Sequence, residues 1–158
     1  MDSKYSIQKK SRDEVGLKQK VPISSLAELE KFWIKEIASF KRDQTVLWLD
    51  GDLGAGKTTS VSLILKFLTQ NATVALSQSV SSPTFALHHQ YQVNHVLFDT
   101  IEHVDLYRIQ SDDELEDSGF WDLFSGHRKL MIIEWGSRMN ENQIPFDWEF
   151  FKYHFIKT

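Results

Sequence analysis

The chain has 158 residues and a mass of 18.4 kDa, about the length of a single domain. Hydrophobic residues make up 41% and aromatics 13%, which is enough to bury a core and excludes disorder as the global state. A formal charge of −4 excludes a molecule that grips nucleic acid through its overall charge. The absence of cysteine excludes disulfide frameworks, thiolate zinc sites and cysteine nucleophiles.

Residues 1–20 carry six Lys/Arg against three acids, with almost no apolar periodicity. They read as a basic N-terminal arm, flexible or loosely docked, ahead of one domain over 21–158. No apolar run follows Lys4, Lys9, Lys10 and Arg12, so no signal peptide is expected. Residues 67–98 lack Asp, Glu, Lys and Arg, but Thr69, Gln70, Asn71, Ser77, Gln78 and Ser79 interrupt them too often for a membrane span. A cytoplasmic protein that does not enter a membrane is expected.

Ser25 and Glu28 stand at capping-box spacing, and Leu26, Leu29, Trp33, Ile37 and Phe40 form one apolar stripe, which predicts a helix. The run 45–49 is short, apolar and partly β-branched, as in a buried strand, and a glycine-rich turn joins it to a predicted helix over 58–68. A Ser-rich connection over 77–82 leads to strands predicted at 85–91, 93–98 and 103–107. Ser111 and Glu114 open a second predicted helix that runs to about residue 124. Strands at 130–133 and 148–156 close the chain. This alternation predicts an α/β fold with a mainly parallel central sheet flanked by helices.

Gly51-Asp52-Leu53-Gly54-Ala55-Gly56-Lys57-Thr58 matches G-x-x-x-x-G-K-[ST] at every fixed position, between a predicted strand and a predicted helix. In such a loop the backbone N–H groups of Asp52, Leu53, Gly54, Ala55 and Gly56 converge on phosphate oxygens at a helix N-terminus. Lys57 reaches the β- and γ-phosphates, the Thr58 hydroxyl ligates Mg²⁺, and Thr59 lies a residue deeper, near the α-phosphate. A turn that used glycine for backbone reasons alone would explain neither Lys57 nor Thr58. The expected fold is therefore that of the phosphate-loop (P-loop) NTPases. No Asn-Lys-x-Asp motif for guanine occurs, which favours ATP. A small-molecule kinase would carry an arginine-rich lid, whereas only Arg138 follows Glu134.

Glu134 directly follows the apolar run 130–133, which places a carboxylate at the C-terminal edge of a strand. There it could hold a Mg²⁺-bound water or polarise an attacking one, or be a plain surface acid. Asp105 is flanked by apolar residues and so half buried, where it needs either a structural partner such as Arg108 or a metal. Ser82-Pro83-Thr84 is by itself a common turn. His88, His89, His95 and His103 have the spacing of no closed metal site. The nine acids and single Arg between Asp99 and Asp122 read as a solvated face, or as a surface for a basic partner.

Taken together, these segments resemble the TsaE (YjeE) family, the ATPase component of bacterial tRNA threonylcarbamoyladenosine synthesis. The likeness runs over about residues 24–138. It rests on Gly51 to Thr59, then Ser82-Pro83-Thr84-Phe85, His103-Val104-Asp105-Leu106-Tyr107-Arg108, Glu114-Leu115-Glu116 and Ile132-Ile133-Glu134-Trp135, in that order. The resemblance implies catalytic roles for Lys57, Thr84, Asp105 and Glu134, with Thr84 on a switch-like turn near the γ-phosphate. It also implies Mg²⁺ at Thr58 and Glu134, and a functional aromatic at Trp135. ATP and Mg²⁺ are then the expected cofactors, partners resembling TsaD and TsaB are expected, and tRNA is met indirectly through them. Hydrolysis would be slow without those partners. A nucleotide-dependent switch with negligible hydrolysis and a small-molecule kinase stay open as alternatives. The basic arm, the long linkers before Ser82 and His103, and the short C-terminus depart from the family pattern.

Overall fold

The computed structural model describes residues 5–12, 20–51, 56–69, 76–79, 87–134 and 139–157, with the backbone alone at 76–79 and Leu87. In chain order the elements are β1 (Tyr5–Ser11), β2 (Lys20–Ile23), α1 (Leu26–Ala38), β3 (Gln44–Gly51), α2 (Lys57–Leu68) and β4 (Leu76–Ser79). They continue with β5 (Leu87–Gln92), β6 (Thr100–Asp105), α3 (Asp112–Asp117), β7 (Lys129–Glu134) and β8 (Glu149–Lys157). Single 3-10 turns stand at Phe120–Leu123 and Glu141–Gln143.

All the described strands join one sheet in the order β2-β1-β8-β3-β7-β6-β5-β4. The four central strands, β8, β3, β7 and β6, run parallel, and the outer strands add antiparallel. Parallel strands covered on both faces need apolar residues at consecutive positions, which is why 45–49 and 130–133 do not alternate with polar residues. Leu47, Leu49, Leu130 and Ile132 pack with Leu29 and Trp33 of α1 and with Ile64 and Leu68 of α2. Val46, Trp48, Met131 and Ile133 pack on the opposite side with Leu115, Phe120, Trp148 and Phe150. The central sheet is thus the middle of three layers.

Both predicted capping boxes form, each displaced by one residue on the carboxylate side. The Ser25 hydroxyl accepts from the Glu28 N–H, and the Glu28 carboxylate accepts from the Ser24 N–H at 2.7 Å. Likewise the Ser111 hydroxyl accepts from Glu114, whose carboxylate accepts from the Gln110 N–H at 3.0 Å. Reaching the residue before the N-cap still satisfies an otherwise orphan donor.

Several expectations are corrected. Part of the basic segment expected to be a flexible arm is strand β1, paired with β8 from Tyr5↔Lys157 to Ser11↔Phe151. Its alternation escapes notice because only Tyr5 and Ile7 are buried, whereas Lys9 turns the same way to reach a buried acid. That acid is Glu36 of α1, 2.8 Å from the Lys9 ammonium, and the Tyr153 hydroxyl donates to it at 3.0 Å. Residues 93–98, expected as a strand, are instead the connection between β5 and β6, closed by the Val93 N–H to the Asp99 carbonyl. Part of the predicted Ser-rich connection is strand β4. The second helix is only six residues long and gives way to a 3-10 turn after Gly119, which takes φ +80°. Leu26 is 53% exposed and lies off the buried stripe of α1.

Candidate functional site

The C-terminal ends of β3, β7 and β6 lie side by side, with Leu49 in register with Glu134 and Glu134 with Asp105. In an open sheet built of parallel strands, that edge is where ligands bind. Beyond β3 the chain enters α2 through Gly56, at φ +92°, and Lys57 is the first helical residue. Lys57 is 5% exposed, and its ammonium donates to the Gly51 carbonyl at 2.6 Å. The side chains of Thr58 and Thr59 are exposed on the same first turn.

This helix start differs from the other two in its chemistry. α1 and α3 begin with a serine cap and an acidic residue in the first turn, which suits the positive end of the helix dipole. α2 has no side-chain cap bond and no acid in its first turn, and it places a buried cation there instead. A lysine at the positive end of a helix is unfavourable unless an anion meets both.

The carboxylates stand opposite. Alternation along the strands puts His103, Asp105 and Glu134 on the side of the sheet that faces α2, with Ile101 and Ile132. Glu134 is 7% exposed, and its Oε2 accepts from His103 Nε2 at 2.7 Å. Asp105 Oδ1 accepts from the Tyr107 backbone N–H at 2.9 Å. Arg108, weighed as the structural partner of Asp105, is exposed. Burial is the largest influence on Asp105 and raises its pKa above the ordinary carboxylate range. The Tyr107 N–H works against the rise, Glu134 adds to it, and His103 and Lys57 oppose it. A cation, two carboxylates and an imidazole thus share one electrostatic environment.

Of the residues expected from the sequence, the structure brings together Gly56, Lys57, Asp105 and Glu134 at this edge, with Thr58 and Thr59 exposed on the first turn of α2. Asp52, Leu53, Gly54, Ala55, Thr84 and Trp135 lie outside the described residues. His103 carries no role in the sequence reading. Its parity with Asp105 on one strand is the signal that could have found it, once the parallel register with β7 is known.

The other histidines do different work. His88 and Gln90 hydrogen-bond the buried Glu102, the glutamine at 2.6 Å, on the sheet face away from α2. Among the described residues no three His, Asp or Glu side chains gather to hold a metal ion. A cavity of about 340 Å³ lined by Lys10, Arg12, Phe146 and Phe150 sits at the other end of β1 from Tyr5.

The fold and site define an α/β protein whose acidic strand ends face a lysine-led helix start. A family model described as "Threonylcarbamoyl adenosine biosynthesis protein TsaE" matches residues 23–155. Proteins named "tRNA threonylcarbamoyladenosine biosynthesis protein TsaE" are similar. The one from Rickettsia conorii is 37% identical over 101 residues, covering 64% of this chain and 52% of that protein. The one from Bacillus subtilis is 36% identical over 111 residues, covering 70% and 62%. A solved structure titled "Crystal structure of Bacillus subtilus YdiB" aligns over 96% of this chain and 86% of that chain, with 20% identity and a TM-score of 0.44. The matched part of this chain spans about half to two thirds of the length of these curated relatives. The chain belongs to the TsaE family. Among the described residues no helix is long and apolar enough to cross a membrane.

Proposed function

We propose that this chain is a phosphate-loop ATPase that binds ATP with Mg²⁺ at the start of α2 and hydrolyses it for the synthesis of threonylcarbamoyladenosine in tRNA. The observation that carries the reading is the buried Lys57 at an uncapped helix start, facing the carboxylates of Asp105 and Glu134. The residues fit the group. An anionic phosphate chain would meet the Lys57 ammonium and the first N–H groups of α2, where the helix dipole favours negative charge. The Thr58 hydroxyl and the Glu134 carboxylate are oxygen donors of the kind Mg²⁺ takes, directly or through water. Bound Mg²⁺ would neutralise charge on the phosphates, and Glu134 would orient the attacking water. Asp105 would sit beside Glu134 as a second carboxylate, and Thr84 would lie by the γ-phosphate.

The family assignment supports the pathway, because relatives carry threonylcarbamoyladenosine biosynthesis in their names. On this reading the chain works in the cytoplasm with partners resembling TsaD and TsaB, meets tRNA through them, and presents Trp135 to them. Turnover would be slow in isolation and rise on partner contact.

Two substitutions test the reading together. Lys57→Ala should weaken ATP binding by about ten- to a hundredfold in calorimetric titration, since charge-assisted hydrogen bonds to phosphate are worth about 1.5–3 kcal/mol. Glu134→Gln should leave ATP binding intact while hydrolysis in the presence of partners falls by about tenfold or more, or ~1.4 kcal/mol of transition-state stabilisation. Wild-type affinity in a folded Lys57→Ala protein would refute the site. Release of a phosphorylated acceptor in place of inorganic phosphate would refute the ATPase reading in favour of a kinase.

A further inference from the structure

We infer that His103 is the positioning residue for Glu134: its ring N–H fixes which way the carboxylate points at the sheet edge. The inference rests on the ATPase reading above and extends it to a residue for which that reading has no use. His103 Nε2 lies 2.7 Å from Glu134 Oε2, across neighbouring parallel strands. An ionised carboxylate has no proton to give, so in this contact Nε2 carries the hydrogen and donates. Glu134 Oε2 is thereby engaged, and Oε1 is the oxygen left to be presented toward the start of α2.

The strand geometry makes this a fixed arrangement. His103 is in register with Ile132, two residues before Glu134, and the Glu134 main-chain carbonyl accepts from the Leu106 N–H at 3.0 Å. Both ends of the pair are therefore tied to the β6–β7 ladder. The Glu134 side chain is 9% exposed and that of His103 16%, so water competes little for the bond. His89, on β5, lies beside the His103 ring with centroids 6.3 Å apart and planes 26° apart, flanking it on the side away from Glu134's strand. A glutamate has three side-chain torsions to order, and an N–H donor on a rigid strand selects one arrangement among them. Partners of this kind commonly change activity or metal affinity by about 10–100-fold when removed.

The test uses the full chain with its partners, and compares wild type, His103→Leu and His103→Gln. His103→Leu removes the donor and should lower kcat for ATP hydrolysis by about tenfold or more, with KM for ATP within about threefold, because Lys57 and the loop are untouched. His103→Gln restores an N–H donor and should recover most of the loss. A second readout needs no turnover. In long-range ¹H–¹⁵N spectra of the nucleotide-free protein, His103 should be fixed with a proton on Nε2, and Glu134→Ala should release it to tautomer exchange. Full kcat in His103→Leu, no rescue by His103→Gln, or free tautomer exchange of His103 in wild type would each overturn the inference while leaving the ATPase reading standing. Absence of hydrolysis in wild type with its partners would overturn the ATPase reading itself, and the positioning role with it.

Discussion

Replacing Gly51 by alanine should be among the most damaging small changes in this protein, for a reason visible at the β3–β8 contact. Gly51 has φ +129°, and a Cβ built on it would stand 2.1 Å from the Phe155 carbonyl oxygen and 2.8 Å from the Phe155 nitrogen. Ordinary contact begins at 3.4 Å, so the two strands would have to part by more than an ångström at a site where the obstacle is backbone. The backbone conformation alone costs about 1–3 kcal/mol for a residue with a side chain. Forcing in the methyl adds about 1–3 kcal/mol, and loosening one ladder hydrogen bond adds about 0.5–1.5 kcal/mol. The expected loss is therefore about 2.5–7.5 kcal/mol, a large part of a total stability of about 5–15 kcal/mol. Gly126 supplies the control, because it also has positive φ, at +80°, but nothing lies within 4 Å of its Cβ position. Gly126→Ala should cost only its conformational share, about 1–2 kcal/mol. With a urea m-value of about 2 kcal/mol per molar, Gly51→Ala should lower the unfolding midpoint by about 1.2–3.8 M and Gly126→Ala by about 1 M or less. Equal shifts for the two variants would refute the steric argument. Gly51→Ala should also displace the carbonyl that holds the Lys57 ammonium.

Asp105→Asn should stabilise the protein at neutral pH. The folded-state pKa of Asp105 is raised above the reference of 3.8, so the acid's contribution to stability is full below about 3.8 and is lost as pH rises through the folded pKa. Asparagine keeps an oxygen for the Tyr107 N–H and never ionises, so its advantage in urea unfolding should shrink as pH falls and vanish near 3.8. A variant less stable than wild type at pH 7 would refute this. Tyr153→Phe should cost about 1.5–3 kcal/mol, because it removes a hydrogen bond to the buried Glu36 carboxylate, which Lys9 also meets. An unchanged urea midpoint would show that the bond carries no stability.

What the sequence reveals of this molecule divides along a physical line. Helix starts are local, so Ser25 with Glu28 and Ser111 with Glu114 could be read directly. So could β3 and β7, because strands covered on both faces carry apolar residues at consecutive positions. The glycine-lysine segment was legible as a motif because its residues are contiguous. The pairing of Glu134 with His103 was not, since it depends on the β6–β7 register, and nothing in either strand states which residue meets which across 31 positions. β1 was missed for a related reason. Lys9 occupies an inward-facing position yet is charged, and the acid that accepts it, Glu36, lies on a helix far along the chain.

That charged inward position also explains how β1, all of which precedes the family match, is tied to the candidate site. Tyr5, Ile7 and Lys9 alternate onto the face that carries α1 and α2. Tyr5 is 3% exposed, and its hydroxyl lies 2.5 Å from where a Cβ on Gly56 would stand, against the start of α2. Four residues on, Lys9 reaches Glu36, which also binds Tyr153 of β8. A slip of one residue along β8 would exchange this set for Ser6, Gln8 and Lys10, burying polar groups on the apolar side and removing the tyrosine from Gly56. Tyr5, Ile7 and Lys9 together therefore distinguish this register from its neighbours, and that register places Tyr5 against Gly56 at the start of α2.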